Sequence, residues 1–131
     1  MKIGDKYIQD KQSELFRKMG AIWAFSKEQF EEQKQEGVEY NQIRWLGGLI
    51  VPKQHVKDLL KELAEIHAEG KRLNKTNYTK EELIEAELIN YEAYYTGDIE
   101  ETVEALEFYG YTYEEVLKVF NATREKNTLD F

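Results

Sequence analysis

Apolar residues recur along this chain with two different periods, and the change of period marks out its elements. From Asp5 to Met19 the side chains of Ile8, Leu15, Phe16 and Met19 fall on one side of a helical spiral, and Gly20 is placed to end it in left-handed backbone. Ala21–Phe25 is a continuous aromatic and aliphatic run, which predicts a short strand. Ser26 and Gln29 then have capping-box spacing, with Phe25 and Phe30 spaced to form a hydrophobic staple around it. They open a short polar helix that is expected to end at Gly37. Tyr40–Leu46 and Leu49–Val51 flank Gly47-Gly48, a hairpin signal because both glycines tolerate positive φ.

Pro52 suits the first turn of a helix, where its missing N–H has no role. Beyond it Val56, Leu59, Leu60, Leu63 and Ile66 form an i, i+3, i+4, i+7 stripe that is expected to stop at Gly70. Lys71–Tyr78 is polar and predicts a connection. Thr79 with Glu82 repeats the capping box, stapled by Tyr78 and Leu83. It starts a helix with Ile84, Leu88, Tyr91 and Tyr95 on its inner side, ending near Thr96-Gly97; Tyr94 turns away from that stripe. Asp98 caps a further helix with Ile99, Val103 and Leu106 inward and Gly110 at its end. Thr112 and Glu115, stapled by Tyr111 and Val116, open a last helix packed by Tyr113, Val116, Leu117 and Phe120.

These elements predict an α+β fold dominated by helix, with about six helices and a small antiparallel sheet of about three short strands in the first half. No linker or repeat interrupts the 131 residues, so a single domain over 1–131 is expected, frayed at 1–4 and 125–131.

Charge changes the picture. The net charge is −8, and between Glu81 and Leu117 there are twelve acidic residues with no Lys or Arg. Nonspecific nucleic-acid binding, which needs cations to replace counterions at phosphates, is disfavoured. Such asymmetry fits either an interaction surface or well-solvated helix faces. No apolar run approaches the ~20 residues that cross a bilayer, and Met1–Lys6 lacks the apolar core of a secretory signal. With no cysteine, thiolate metal sites, disulfides and cysteine nucleophiles are excluded, and a cytosolic location is expected.

Candidate chemistry is sparse. His55 and His67 both fall on the helix predicted after Pro52. Twelve positions separate them, about 18 Å along a helix, so one metal ion cannot hold both. His67 continues the apolar stripe and is expected to pack. Carboxylates are too abundant for any pair to stand out as an acid and base. Thr96-Gly97-Asp98-Ile99-Glu100 lacks the alternation of a calcium loop, and no phosphate-loop or nucleophile-elbow motif occurs. The expectation is a non-enzymatic protein without cofactor or metal.

Six of the nine tyrosines lie between Tyr91 and Tyr113, inside the acid-only stretch. Tyrosine supplies contact area at low entropy cost and is enriched at interfaces. Tyr91, Tyr95 and Tyr113 are expected in the core, whereas Tyr94 and Tyr109 fit core or surface equally. Glu100, Glu104 and Glu107 share one helix face, with Glu101 beside them. The candidate partner-binding residues are therefore Tyr94, Asp98, Glu100, Glu101, Glu104, Glu107 and Tyr109.

Four segments carry a resemblance: Ala24–Phe30, Gly47–Lys53, Asn90–Glu100 and Tyr109–Val116. Through them the chain resembles a family of small uncharacterised proteins of bacteriophages and prophages, especially those of Gram-positive gut bacteria. The resemblance carries no catalytic residues. It implies a setting, the cytoplasm of a bacterial host, where small acidic phage accessory proteins bind and disable host factors such as CRISPR nucleases and restriction enzymes. The expected partner is a host protein with a basic surface, such as a nucleic-acid-binding enzyme. The alternative is a phage structural or assembly protein that self-associates.

Overall fold

A computed structural model describes residues 1–127. The fold is α+β and mainly helical, with seven α-helices and one two-stranded antiparallel sheet among the described residues. The chain divides into two compact units, Met1–Leu73 and Asn74–Phe131.

In the first unit α1 (Ile3–Lys18) ends where Gly20 takes φ +70°, as its position predicts. The strand expected over Ala21–Phe25 does not form. Only Ile22 pairs, as an isolated bridge to Ile50, so the sheet has two strands and not three. The reason lies just beyond. Gln29 reaches back past Ser26 to accept the Phe25 N–H at 2.7 Å, while Ser26 Oγ accepts the Gln29 N–H at 3.1 Å. The cap thus takes up the backbone that a longer strand would need. Phe25 is 91% exposed and staples nothing; Phe30 instead meets Tyr40 edge-on, ring centroids 5.3 Å apart. Helix α2 (Lys27–Gln33) ends before Gly37.

β1 (Tyr40–Ile43) and β2 (Leu49–Pro52) form the predicted hairpin, Ile43 opposite Leu49. A 3-10 turn over Arg44–Leu46 precedes Gly47 and Gly48, both at positive φ. Ile43, Leu49 and Val51 point to one face and join Leu15, Met19, Leu59 and Leu63 in the core of this unit. Pro52 closes β2 and a 3-10 turn with His55 intervenes, so α3 begins only at Val56.

α3 (Val56–Asn77) runs straight through Gly70 and over most of the stretch expected as a polar connection. Gly70 is not a helix stop. It is fully packed against α1, where a β-carbon would sit 2.3 Å from Ile8 Cγ1. Glycine is needed for the close approach of two helices, and the helix bears its weaker propensity.

The second unit begins inside the last turns of α3. Thr79 caps α4 (Lys80–Asn90) and Thr112 caps α7 (Tyr113–Thr123), each with both reciprocal bonds of the capping box. The helix expected from Thr79 to Thr96 is broken. Glu92 adopts φ 56°, and α5 (Ala93–Thr96) starts afresh after it. This added break gives seven helices in place of about six. α6 (Glu100–Leu106) continues into a 3-10 turn, Glu107–Tyr109, stopped by Gly110. Ile84, Leu88, Ala93, Ile99, Leu106, Val116, Val119 and Phe120 form the core. No helix among the described residues is long and apolar enough to cross a membrane.

Candidate functional site: the acidic face of the second unit

The charge asymmetry follows the division into units. Residues 1–73 hold 13 Lys and Arg against 12 Asp and Glu, whereas residues 74–131 hold 5 against 14. The acidic excess thus belongs wholly to the second unit.

Within it α6 is fixed by its inner side. Ile99 and Leu106 are buried, and between them Thr102 is fully buried with its Oγ1 donating to the Glu87 carbonyl at 3.4 Å. Val103, expected inward, is only half-buried. The start of the helix is set locally: Thr96 Oγ1 accepts the Asp98 N–H, and Asp98 Oδ1 accepts the Glu100 N–H at 2.9 Å. At 100° per residue, anchoring 99, 102 and 106 turns 100, 101, 104 and 107 outward. Glu100, Glu101, Glu104 and Glu107 are all exposed, as is Asp98.

Three carboxylates elsewhere in this unit are engaged, Glu82 in the capping box of Thr79 and two others in ion pairs. Glu115 pairs with Lys80 and also closes a capping box. Glu85 pairs with Lys126 at 2.8 Å and accepts from Asn127, and its carboxyl is held below the usual range chiefly by the Lys126 hydrogen bond. For Glu100, Glu101, Glu104 and Glu107 no ion pair occurs among the described residues.

The tyrosines sort differently from the sequence expectation. Tyr95 is 92% exposed, and Tyr91 and Tyr113 are exposed as well. Tyr94, expected to turn away, packs on the core, its ring stacked on Phe120 at 5.4 Å. Its hydroxyl meets Thr123 Oγ1, and burial raises its pKa. The break at Glu92 is the cause. It resets the helical phase, so Ala93 and Tyr94 replace Tyr91 and Tyr95 on the inner side. Tyr109 is half-buried, stacked on Tyr111 at 5.6 Å, and its hydroxyl accepts from the buried Asn74 amide at 3.1 Å. The structure thus brings Glu100, Glu101, Glu104 and Glu107 together on one face and gives Tyr94 and Tyr109 packing roles. Phe108, 61% exposed directly after Glu107, is the aromatic side chain that sequence reasoning passed over.

His67 is half-buried with Nε2 3.1 Å from Gln12 Oε1, and burial, then the nearby Lys71, lowers its pKa. Among the described residues no three His, Asp or Glu side chains are grouped to hold a metal ion.

No curated protein and no solved structure matches the chain. A family profile does, over residues 4–126. By that match, which spans nearly all of the chain, the protein belongs to DUF7659, a family of unknown function.

Proposed function

We infer that the protein acts without catalysis, by binding a basic protein surface through the outer face of α6. One observation carries this reading: three exposed carboxylates on α6 and a fourth in the 3-10 turn that continues it, none with an ion pair among the described residues. Like charges at i, i+4 repel, so the face works against its own helix by a few tenths of a kcal/mol per pair. A basic partner turns that repulsion into attraction and speeds encounter. The resemblance to phage proteins makes a nucleic-acid enzyme of the bacterial host the favoured partner, since its basic channel accepts the charge sign of phosphate. The protein would then be an inhibitor of a CRISPR or restriction nuclease in the host cytoplasm.

The test is association kinetics with purified nucleases of those two classes, read together with their DNA cleavage. Wild-type protein should associate faster at low salt and suppress cleavage. Reversing Glu100, Glu104 and Glu107 to Lys should slow association strongly while leaving the helical spectrum intact. Association of that variant at the wild-type rate would overturn the reading.

Self-association in phage assembly is a second reading. It is favoured by the exposed Phe25 and Trp45 of the first unit, 91% and 72% accessible. Light scattering across a concentration series separates the two.

A further inference from the structure

β1 has a single neighbour in its sheet among the described residues. Its register sets Tyr40 opposite Pro52 and Gln42 opposite Ile50. Pro52 has no N–H to donate, and Ile50 directs both its backbone groups to Ile22, at 2.7 and 3.0 Å. The carbonyls of Glu39 and Ile43 do face β2, accepting from Lys53 and Gly48. Backbone direction alternates along a strand. The N–H and C=O of Tyr40 and of Gln42 therefore point away from the sheet, and no partner for them occurs among the described residues.

Exposed sheet edges are usually guarded by a lysine, a proline or a bulge. β1 is short, at four residues, but its residues, Tyr-Asn-Gln-Ile, include none of these. Against the strand lies a groove of about 420 Å³, with Ala24, Phe25, Phe30, Tyr40 and Ile50 as its apolar lining. Lys27 is its one charged lining residue, and Arg44 follows directly after β1. Neither cation has an ion pair among the described residues, and no carboxylate lines the groove.

We propose that this edge is a docking site for an extended acidic segment of a partner protein, which adds to β1 as a third strand. Its backbone bonds to Tyr40 and Gln42. Alternate apolar side chains enter the groove beside Phe25 and Phe30, and its carboxylates meet Lys27 and Arg44. This site belongs to the first unit and prefers the charge opposite to that α6 would bind.

The test titrates ¹⁵N-labelled protein with a synthetic peptide alternating Asp with Val and Phe. Parallel titrations use a matched peptide with Lys for Asp, and the acidic peptide with its alternate amides N-methylated. The acidic peptide should shift the Tyr40 and Gln42 amide resonances, more weakly at high salt, and both controls should fail. Gln42→Pro, which removes an outward N–H without touching the β2 ladder, should weaken binding about three- to tenfold, the worth of one hydrogen bond. Gln42→Ala, which keeps that N–H, should bind like wild type. Undisturbed Tyr40 and Gln42 amides, or equal binding of the lysine peptide, would overturn the proposal. Protein that dimerises through these same amides without peptide would replace it with a second copy as occupant.

Discussion

Gly70 is seated against Ile8 so closely that a single methyl group has no room between them. Its β-carbon would lie 2.3 Å from Ile8 Cγ1 and 2.8 Å from the Gly4 carbonyl oxygen. Replacing a mid-helix glycine by alanine normally stabilises by up to about 1 kcal/mol. Here the side chain can rotate but the backbone oxygen cannot, and overpacking costs about 1–3 kcal/mol. Gly70→Ala should therefore lower stability by a net ~1–2 kcal/mol in urea unfolding. A more stable variant would show that α1 and α3 are not in close contact there.

Glu92 is the one residue other than glycine with positive φ among the described residues. Left-handed backbone costs an L-residue with a β-carbon about 1 kcal/mol, and glycine avoids that while losing more chain entropy. Glu92→Gly should raise stability by up to ~1 kcal/mol, read as a higher melting temperature. Were α4 and α5 one continuous helix, the same change would destabilise by a similar amount.

Tyr94 and Tyr95 are neighbours with opposite environments. Tyr94→Phe removes the half-buried hydroxyl contact to Thr123 and should cost about 1 kcal/mol. Tyr95→Ala should stay within ~0.5 kcal/mol of wild type, as expected of surface changes. Equal losses at the two positions would contradict the phase shift at Glu92.

Burial and Lys71 both lower the His67 pKa from its ordinary 6.5. The unfolded chain then binds the proton more readily than the folded one in the interval below 6.5. Stability is fully present above that value and declines as pH falls toward the lowered one. His67→Gln should flatten the slope when urea midpoints are compared across this interval. The lowered Glu85 carboxyl contributes a loss of the same sign, but in the more acidic carboxylate range.

The sequence was legible wherever a signal was local. Thr79 with Glu82 and Thr112 with Glu115 need only a hydroxyl and a carboxylate three residues apart, and both boxes form. Gly20, Gly47 and Gly110 take the positive φ their positions suggested. Illegible features depended on distant partners. Gly70 resembles a stop until Ile8 and Gly4 are placed beside it, and Ala21–Phe25 resembles a strand until Gln29 captures the Phe25 N–H. The phase of Tyr91, Tyr94 and Tyr95 turned on one αL residue, which a glutamate does not advertise. The carboxylates of the candidate face were readable, because the buried spacing of Ile99 and Leu106 determines where Glu100, Glu104 and Glu107 point. The open edge of β1 was hidden, since it follows from register.

The two capping boxes also divide the glutamates into kinds that composition cannot tell apart. Glu82 and Glu115 each accept the N–H of the capping threonine at 3.0 Å. Only a side chain with an acceptor oxygen at that reach can take over, so drift at either position is confined to glutamine or close analogues. Glu100, Glu101 and Glu104 make no side-chain bond among the described residues; Glu100 and Glu101 add only a favourable charge in the first turn of α6. Across relatives, variation at 82 and 115 would therefore register folding, whereas variation at 100, 101 and 104 would register whatever the protein touches.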